Sequence, residues 1–144
     1  MTLRIGIVGY STTEFDEERA KFILDAAIAY VRIERDVEQI EIVSGLTNIG
    51  IPKLAYELAE KYGYPTRGIA CSKATDYACF PCDHVHIVGQ EWGEESTMFL
   101  TSIDFLIRIG GGVQSHAETV EAIRLGIPIL EFDLDEEDEG NTDD

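Results

Sequence analysis

Basic side chains are scarce in this chain. Its 144 residues carry 11 Lys and Arg against 28 Asp and Glu, a formal net charge of −17. So acidic a surface repels phosphate backbones and lacks the basic footprint of a nucleic-acid binder, so no nucleic-acid partner is expected. A small nucleotide in a local cradle stays compatible with it. Long apolar runs are missing too. None approaches the length that spans a bilayer, so no membrane partner is expected. The chain runs straight into a strand at Leu3 to Tyr10, which argues against a cleavable signal. Cysteines number 3. An odd count argues against a disulfide framework and makes a reducing cytoplasm the expected compartment.

Several nucleotide and hydrolase motifs are also absent. The first turn reads Gly6-Ile-Val-Gly9-Tyr10-Ser11 and lacks the Gly-x-Gly-x-x-Gly dinucleotide fingerprint. The second strand ends in Ser44, where an NAD site needs an acid for the ribose. No Gly-Lys-Ser/Thr marks a Walker loop and no Gly-x-Ser-x-Gly marks an esterase elbow. NAD is disfavoured and no cofactor is expected.

What is present organises around one stretch. Phe105 to Ile109 is a short apolar run containing Arg108; Gly110, Gly111 and Gly112 stop it, and Gln114 and Ser115 follow, with Ser115 expected to open a helix that Gly126 closes. Glycines let the backbone turn sharply and let a ligand approach it, and the helix start offers free N–H groups to an anion. The rest of the chain alternates strands and helices. Strands are expected at Leu3 to Tyr10, Gln39 to Ser44, Thr66 to Cys71, His84 to Gly89, Phe105 to Ile109 and Ile127 to Asp133. A first helix is expected from Glu14 to Arg35, opened by a Ser11–Glu14 capping box, with Phe15, Phe22, Ala26, Tyr30 and Ile33 buried. A second should start near Pro52, bury Leu54, Ala55, Leu58, Ala59 and Tyr62, and stop at Gly63. A short one spans Ser96 to Ser102.

This alternation predicts an α/β fold: a single doubly wound, mainly parallel sheet of about six strands, Rossmann-like, with helices on both faces. The first strand is expected beside the fourth. The domain is read as residues 1–133, followed by an acidic, disordered tail over 134–144 holding seven acids and no base. Ligands on such sheets bind at the carboxyl ends of the strands, where the winding reverses. Gly9 to Thr13, Ser44 to Gly50, Gly89 to Ser96 and Gly110 to Glu118 all fall there.

The candidate residues each carry a plainer alternative. Glu118 can face a sugar carbon as positive charge develops, or can close a Ser115-x-x-Glu118 capping box. Arg108 can pair with a phosphate or with a carboxylate at the strand end. Glu95, near Glu91 and Glu94, can serve as a general base or hold ribose hydroxyls, with Trp92 stacking on a base; the alternative is a solvated acidic loop. Cys79, Cys82, His84 and His86, with Cys71 upstream, are ligand types for zinc. Thiols packed in the core and edge histidines account for them more simply, and no metal is expected.

The segment Gly110-Gly-Gly-Val-Gln-Ser-His-Ala-Glu118, followed by Gly126-Ile-Pro-Ile, resembles the Pro-Gly-Gly-x-Gly-Thr-x-x-Glu motif of the Lonely-Guy proteins. These were once labelled lysine decarboxylases and belong to the SLOG group of Rossmann-like nucleotide-binding domains. Val43-Ser-Gly-Leu-Thr-Asn-Ile-Gly50 resembles that family's second glycine loop and Gly9-Tyr-Ser11 its first. The resemblance implies a homodimer that binds a nucleotide-type small molecule and cleaves the N-glycosidic bond of a nucleoside monophosphate, as a phosphoribohydrolase does. It puts Glu118 at the chemistry, where Glu95 is a candidate by its place after the fourth strand. It puts Gly9, Tyr10, Ser11, Gly45, Thr47, Gly110, Gly111, Gly112, Gln114 and Ser115 around the nucleotide and its phosphate, and Arg108 joins them as a candidate by its place in the strand before the glycines. Two alternatives stay open. The family's catalytic arginine has no counterpart in Ser96 to Ser102, which suits a binding or sensing module without turnover. The same stretch also resembles nucleoside deoxyribosyltransferases, whose Gly-Thr-Ala-x-Glu segment carries a nucleophilic glutamate.

Overall fold

The computed structural model describes residues 1–135. Strands β1 (Thr2–Gly9), β2 (Gln39–Ser44), β3 (Thr66–Ala70), β4 (His84–Ile87), β5 (Phe105–Ile109) and β6 (Ile129–Phe132) form one sheet. Helices α1 (Glu17–Arg35), α2 (Gly50–Tyr62), α3 (Ser96–Thr101) and α4 (Val113–Arg124) connect them, with a short 3₁₀ turn at Ser72–Asp76. All strand pairs are parallel and the order is β4-β3-β2-β1-β5-β6. This is the Rossmann-like α/β sheet expected, with one correction. β1 lies between β2 and β5, not beside the fourth strand. The chain winds outward through all of β2, β3 and β4 before α3 carries it back, so the winding reverses between β1 and β5.

The alternation of side chains along the strands builds two cores. Ile5, Ile7, Ile40, Ile42 and Ile107 meet Leu24 and Ile28 of α1 and Leu54 and Ala55 of α2. On the other face, Val8, Val43, Ile69 and Leu106 meet Phe99, Leu100 and Ala122. Parallel strands covered on both faces explain why β5 reads as a continuous apolar run.

α1 departs from expectation at its start and in its orientation. Asp16 caps it by accepting from the Arg19 N–H at 3.1 Å, so the helix begins at Glu17 and the Ser11–Glu14 box does not open it. Ala20, Leu24, Ala27, Ile28 and Val31 are buried, whereas Phe22, Tyr30 and Ile33 are 75%, 55% and 79% exposed and Ala26 is exposed too. Phe15 is buried ahead of the helix, stacked on Tyr10 with ring centroids 5.9 Å apart. Two apolar stripes compete on this helix. The smaller, aliphatic one lets the helix axis lie close to the sheet.

α2 starts at Gly50 and ends at Gly63 in the left-handed conformation (φ 73°). Its inner face includes the fully buried Tyr56, while Tyr62 is half-exposed. The Tyr56 hydroxyl lies 2.6 Å from the Gly45 carbonyl and 3.0 Å from that of Arg67, tying the exit of β2 to β3. Tyr56→Phe leaves two partly buried carbonyls without that donor. It is expected to lower stability by about 1–2 kcal/mol in urea unfolding.

Leu134, read as the first tail residue, is buried, and its carbonyl accepts from the Tyr10 hydroxyl at 2.8 Å. The packed domain therefore reaches it. The disordered tail expected beyond falls mainly on positions 136–144, outside the described residues.

Candidate functional site

The exits of β1 and β5 lie side by side at the winding reversal, with register Gly9↔Ile109. The glycine turn after β5 is shaped by this closeness. Gly110 (φ 60°) and Gly111 (φ 101°) both have positive φ, and a Cβ on Gly110 would stand 2.2 Å from the Tyr10 ring. A Cβ on Gly111 would stand 2.6 Å from that of Ser115. Gly9 presses on β5 in turn, since a Cβ there would meet the Ile109 carbonyl at 2.2 Å. Only glycine fits this crossing of three backbone segments.

The turn delivers α4 two residues earlier than expected. Gly112 is its N-cap and offers no side chain, so Val113, Gln114 and Ser115 occupy the first turn. Their backbone N–H groups have no preceding helical carbonyl to bond, which is the arrangement that receives anions. Ser115 does not cap the helix. Its hydroxyl donates to the Gly9 carbonyl at 3.3 Å, fastening α4 to the end of β1. The expected capping box is therefore not formed, and Glu118 is left for another partner.

That partner is Ser96, the first residue of α3, whose hydroxyl donates to Glu118 Oε2 at 2.8 Å. Beside it, Glu95 Oε1 accepts from the Gly93 N–H at 2.8 Å and Glu95 Oε2 lies 3.4 Å from Gln114 Nε2. Glu95 and Glu118 are 6% and 8% exposed. Among the described residues neither has an ion-pair partner. Burial, reinforced by the Glu95 charge, lifts the Glu118 carboxyl to about 7, against the pull of the Ser96 and Gln114 hydrogen bonds. Two buried carboxyls share a polar network at the carboxyl end of the sheet, and the shift of Glu118 lets that residue hold a proton near neutral pH.

The other candidates divide. Gly9, Gly110, Gly111, Gly112 and Ser115 are gathered at the turn, with Ser11 partly buried at the exit of β1. Tyr10 is also there, but its ring is buried against Gly110 and Phe15. Arg108 is buried and fully engaged: Nε meets Glu131 at 3.1 Å, Nη2 meets Asp133 at 3.0 Å and Nη1 donates to the Gly110 carbonyl at 2.8 Å. It is the strand-end ion pair and braces the glycine turn from below. Gly45 and Thr47 sit at the exit of β2. There a strap from Ala78 to Phe80 lies over the loop, with Thr47 bridged to Cys79, Asn48 N–H bonded to Ala78 and Phe80 N–H to Leu46. Glu94 caps its own turn by accepting from Gln90 and Glu91 N–H groups, which lowers its pKa. Trp92 is half-exposed, with its ring 6.1 Å from that of Tyr77.

Sequence reasoning placed Ser96 inside the candidate segment Gly89 to Ser96 but gave it no role, and it missed the strap. A hydroxyl at the first position of the helix after β4 was the available signal for Ser96. Cys79 and Cys82 pack against Leu46, Ala70 and Ala74, and burial raises the Cys82 thiol pKa. Among the described residues no cluster of three or more metal-ligating side chains forms, and no helix is long and apolar enough to cross a membrane.

The chain shares this Rossmann-like α/β fold with solved structures. Among those is the molybdenum cofactor binding protein from the phototrophic bacterium Rippkaea orientalis, at a TM-score of 0.74 and 21% identity, over 94% of this chain and 78% of that one. The molybdenum cofactor carrier protein from Chlamydomonas reinhardtii matches at 0.71 and 17%, over 91% and 76%. The protein TM1055 matches at 0.69 and 19%, over 88% and 72%. At these identities the likeness is one of fold. Neither a family model nor a curated protein matches the sequence.

Proposed function

We propose that this chain binds a nucleotide-type small molecule at the carboxyl ends of β1 and β5 and hydrolyses its N-glycosidic bond. The observation that carries this reading is the buried Glu95–Glu118 pair, without a cation among the described residues, beside a glycine turn that opens α4. In this reading the phosphate lies over Gly110 to Ser115, on N–H groups rather than on a cation, and the ribose lies against the acids. The bond between sugar carbon and base nitrogen breaks with its electron pair leaving on the base. Protonated Glu118 supplies the proton that the base takes up. Ionised Glu95 faces the positive charge growing on the sugar and accepts a proton from the water that attacks it. The products are free base and ribose phosphate. The proposed assembly is a homodimer and the proposed compartment the cytoplasm.

A second reading, binding without turnover, is favoured by the engagement of Arg108 with Glu131, Asp133 and Gly110. That occupies the arginine of β5, and Ser96 to Ser102 carries none. Two of the solved neighbours, described as binding or carrying the molybdenum cofactor, support it as well.

One experiment separates the two. Wild type, Glu118→Ala and Glu95→Gln are incubated with a panel of nucleoside 5′-monophosphates, reading thermal shift and released base together. The proposal expects a shift with release in wild type and a fall of at least about 100-fold in release in either variant. A shift without release in every protein makes this a binding module. No shift with any nucleotide overturns the phosphate turn itself.

A further inference from the structure

Tyr77 and Trp92 meet at the surface. They are 60% and 48% exposed, yet their ring centroids stand 6.1 Å apart at an interplanar angle of 47°. A tilted pair of this kind leaves an apolar wedge open to solvent.

The backbone that carries each ring is fixed. Trp92 lies in the turn after β4, where Glu94 accepts from the Gln90 and Glu91 N–H groups and the Ser96 N–H donates to the Gly93 carbonyl at 3.2 Å. Tyr77 ends the 3₁₀ turn, its N–H donating to the Ala74 carbonyl at 3.1 Å. Beyond it the Ala78 carbonyl takes the Asn48 N–H at 2.9 Å. The two segments are tied together by the Lys73–Glu91 ion pair and by the Ser72 N–H, which donates to the Gly89 carbonyl at 2.9 Å. A ring that docks on the pair therefore need not order either segment.

The wedge also adjoins the acids of the site. The Gly93 N–H donates to Glu95 Oε1 at 2.8 Å, so the peptide that follows Trp92 rests on that carboxylate. Glu95 Oε2 lies 3.4 Å from Gln114 in the first turn of α4, and Ser96 donates to Glu118. The order across the site is the glycine turn, the two acids, then the aromatic pair. A nucleotide has the same order of phosphate, sugar and ring.

We infer that Tyr77 and Trp92 form the subsite for the planar heteroaromatic ring of the ligand, with the ring stacked on Trp92 and Tyr77 closing one side. This rests on the nucleotide-type reading of the site and adds to it two residues and a mode of selection. Both side chains stand at the surface, so they offer faces rather than an enclosing set of donors and acceptors. Stacking of this sort tolerates any base, because every base has a π-face. Selection then follows aromatic area: a fused bicyclic ring covers more of the pair than a single ring, and the groups on its edge matter little.

Trp92 is the single tryptophan of the chain, so intrinsic tryptophan fluorescence reports on this subsite alone. Wild type is titrated with adenosine, guanosine and uridine 5′-monophosphates and with ribose 5-phosphate, reading Trp92 emission, with dissociation constants from calorimetry. The expected result is quenching by all three nucleotides and none by ribose 5-phosphate. The two purine nucleotides should bind alike, within about 3-fold, and more tightly than the uridine one. Trp92→Ala is expected to raise the dissociation constant for adenosine 5′-monophosphate at least about 10-fold and Tyr77→Ala about 5-fold, with Trp92→Phe restoring most of the loss. Circular dichroism checks that each variant is folded. Nucleotides that bind without changing Trp92 emission, or that bind both alanine variants as tightly as wild type, overturn the subsite and leave the phosphate turn standing. Quenching by ribose 5-phosphate equal to that by the nucleotides overturns stacking as its cause. A uridine nucleotide that binds as tightly as the purine ones overturns selection by area. If neither the nucleotides nor ribose 5-phosphate bind, the subsite falls together with the proposed function.

Discussion

Replacing Glu118 with Gln is expected to make the protein more stable at neutral pH, not less. Burial holds the Glu118 carboxyl at about 7 in the folded chain, against an ordinary value of 4.5. Between those two values the folded state keeps a proton that the unfolded chain has released. Stability is therefore full below pH 4.5, falls as pH rises through the window, and levels off once pH passes about 7. The full loss is about 3 kcal/mol, from 1.36 kcal/mol per pKa unit. Glutamine keeps the size of the side chain and keeps an acceptor for Ser96, but has no proton to lose. The difference between variant and wild type in urea unfolding should grow from near zero at pH 4.5 towards this value at pH 8. A difference independent of pH would mean that the Glu118 carboxyl is not shifted upwards.

The same group links stability to the proposed chemistry. A general acid must be protonated to act, so base release by wild type is expected to decline as pH rises above about 7. Glu118→Gln should then combine higher stability with lost turnover, the trade expected of an acid that is buried for a task.

Much of this was legible in the sequence, and the exceptions share a cause. β5 lies where its apolar run put it, Phe105–Ile109, because a strand covered on both faces has no polar side to blur its ends. The glycine turn was legible because few other residues allow the backbone such a path. The inner face of α1 was not. Its two stripes are both apolar at helical spacing, and the choice was made by the sheet, which the helix approaches more closely over Ala20, Ala27 and Val31 than over Phe22 and Tyr30. Strand order was hidden for a related reason: nothing local says how many strands the chain lays down before it turns back. The Arg108–Glu131 pair follows from parallel register, since the two residues are opposite each other in β5 and β6. Glu118 stood out, but its real partner Ser96 is 22 residues away. It arrives only because α3 packs beside α4. Reading Ser115 as a cap was a reasonable local inference, undone when Gly112 took the cap position and Ser115 turned to Gly9.

Gly110→Ala is expected to cost this chain much more stability than a methyl added at an open turn. Two costs combine there. The residue holds φ at 60°, which disfavours any side chain, and its added methyl would stand 2.2 Å from the Tyr10 ring. Tyr10 cannot swing clear, because its ring is buried on Phe15 and its hydroxyl is held by the Leu134 carbonyl. Strain and overlap together should cost about 3 kcal/mol. Gly126→Ala separates the two costs. Gly126 has a comparable φ of 78°, but a methyl there would meet nothing within 4 Å, so only the backbone term applies, about 1 kcal/mol. Urea unfolding of both variants tests the comparison. If they lose equal amounts, the contact between Tyr10 and Gly110 is looser than described and the turn has room to move. If Gly110→Ala loses much more, the turn is rigid before any ligand arrives. A rigid turn matters for the site, because Arg108 holds the Gly110 carbonyl from below and Ser115 holds α4 to Gly9 from the side. The N–H groups at the start of α4 are then already aimed, and a bound anion need not pay to order them.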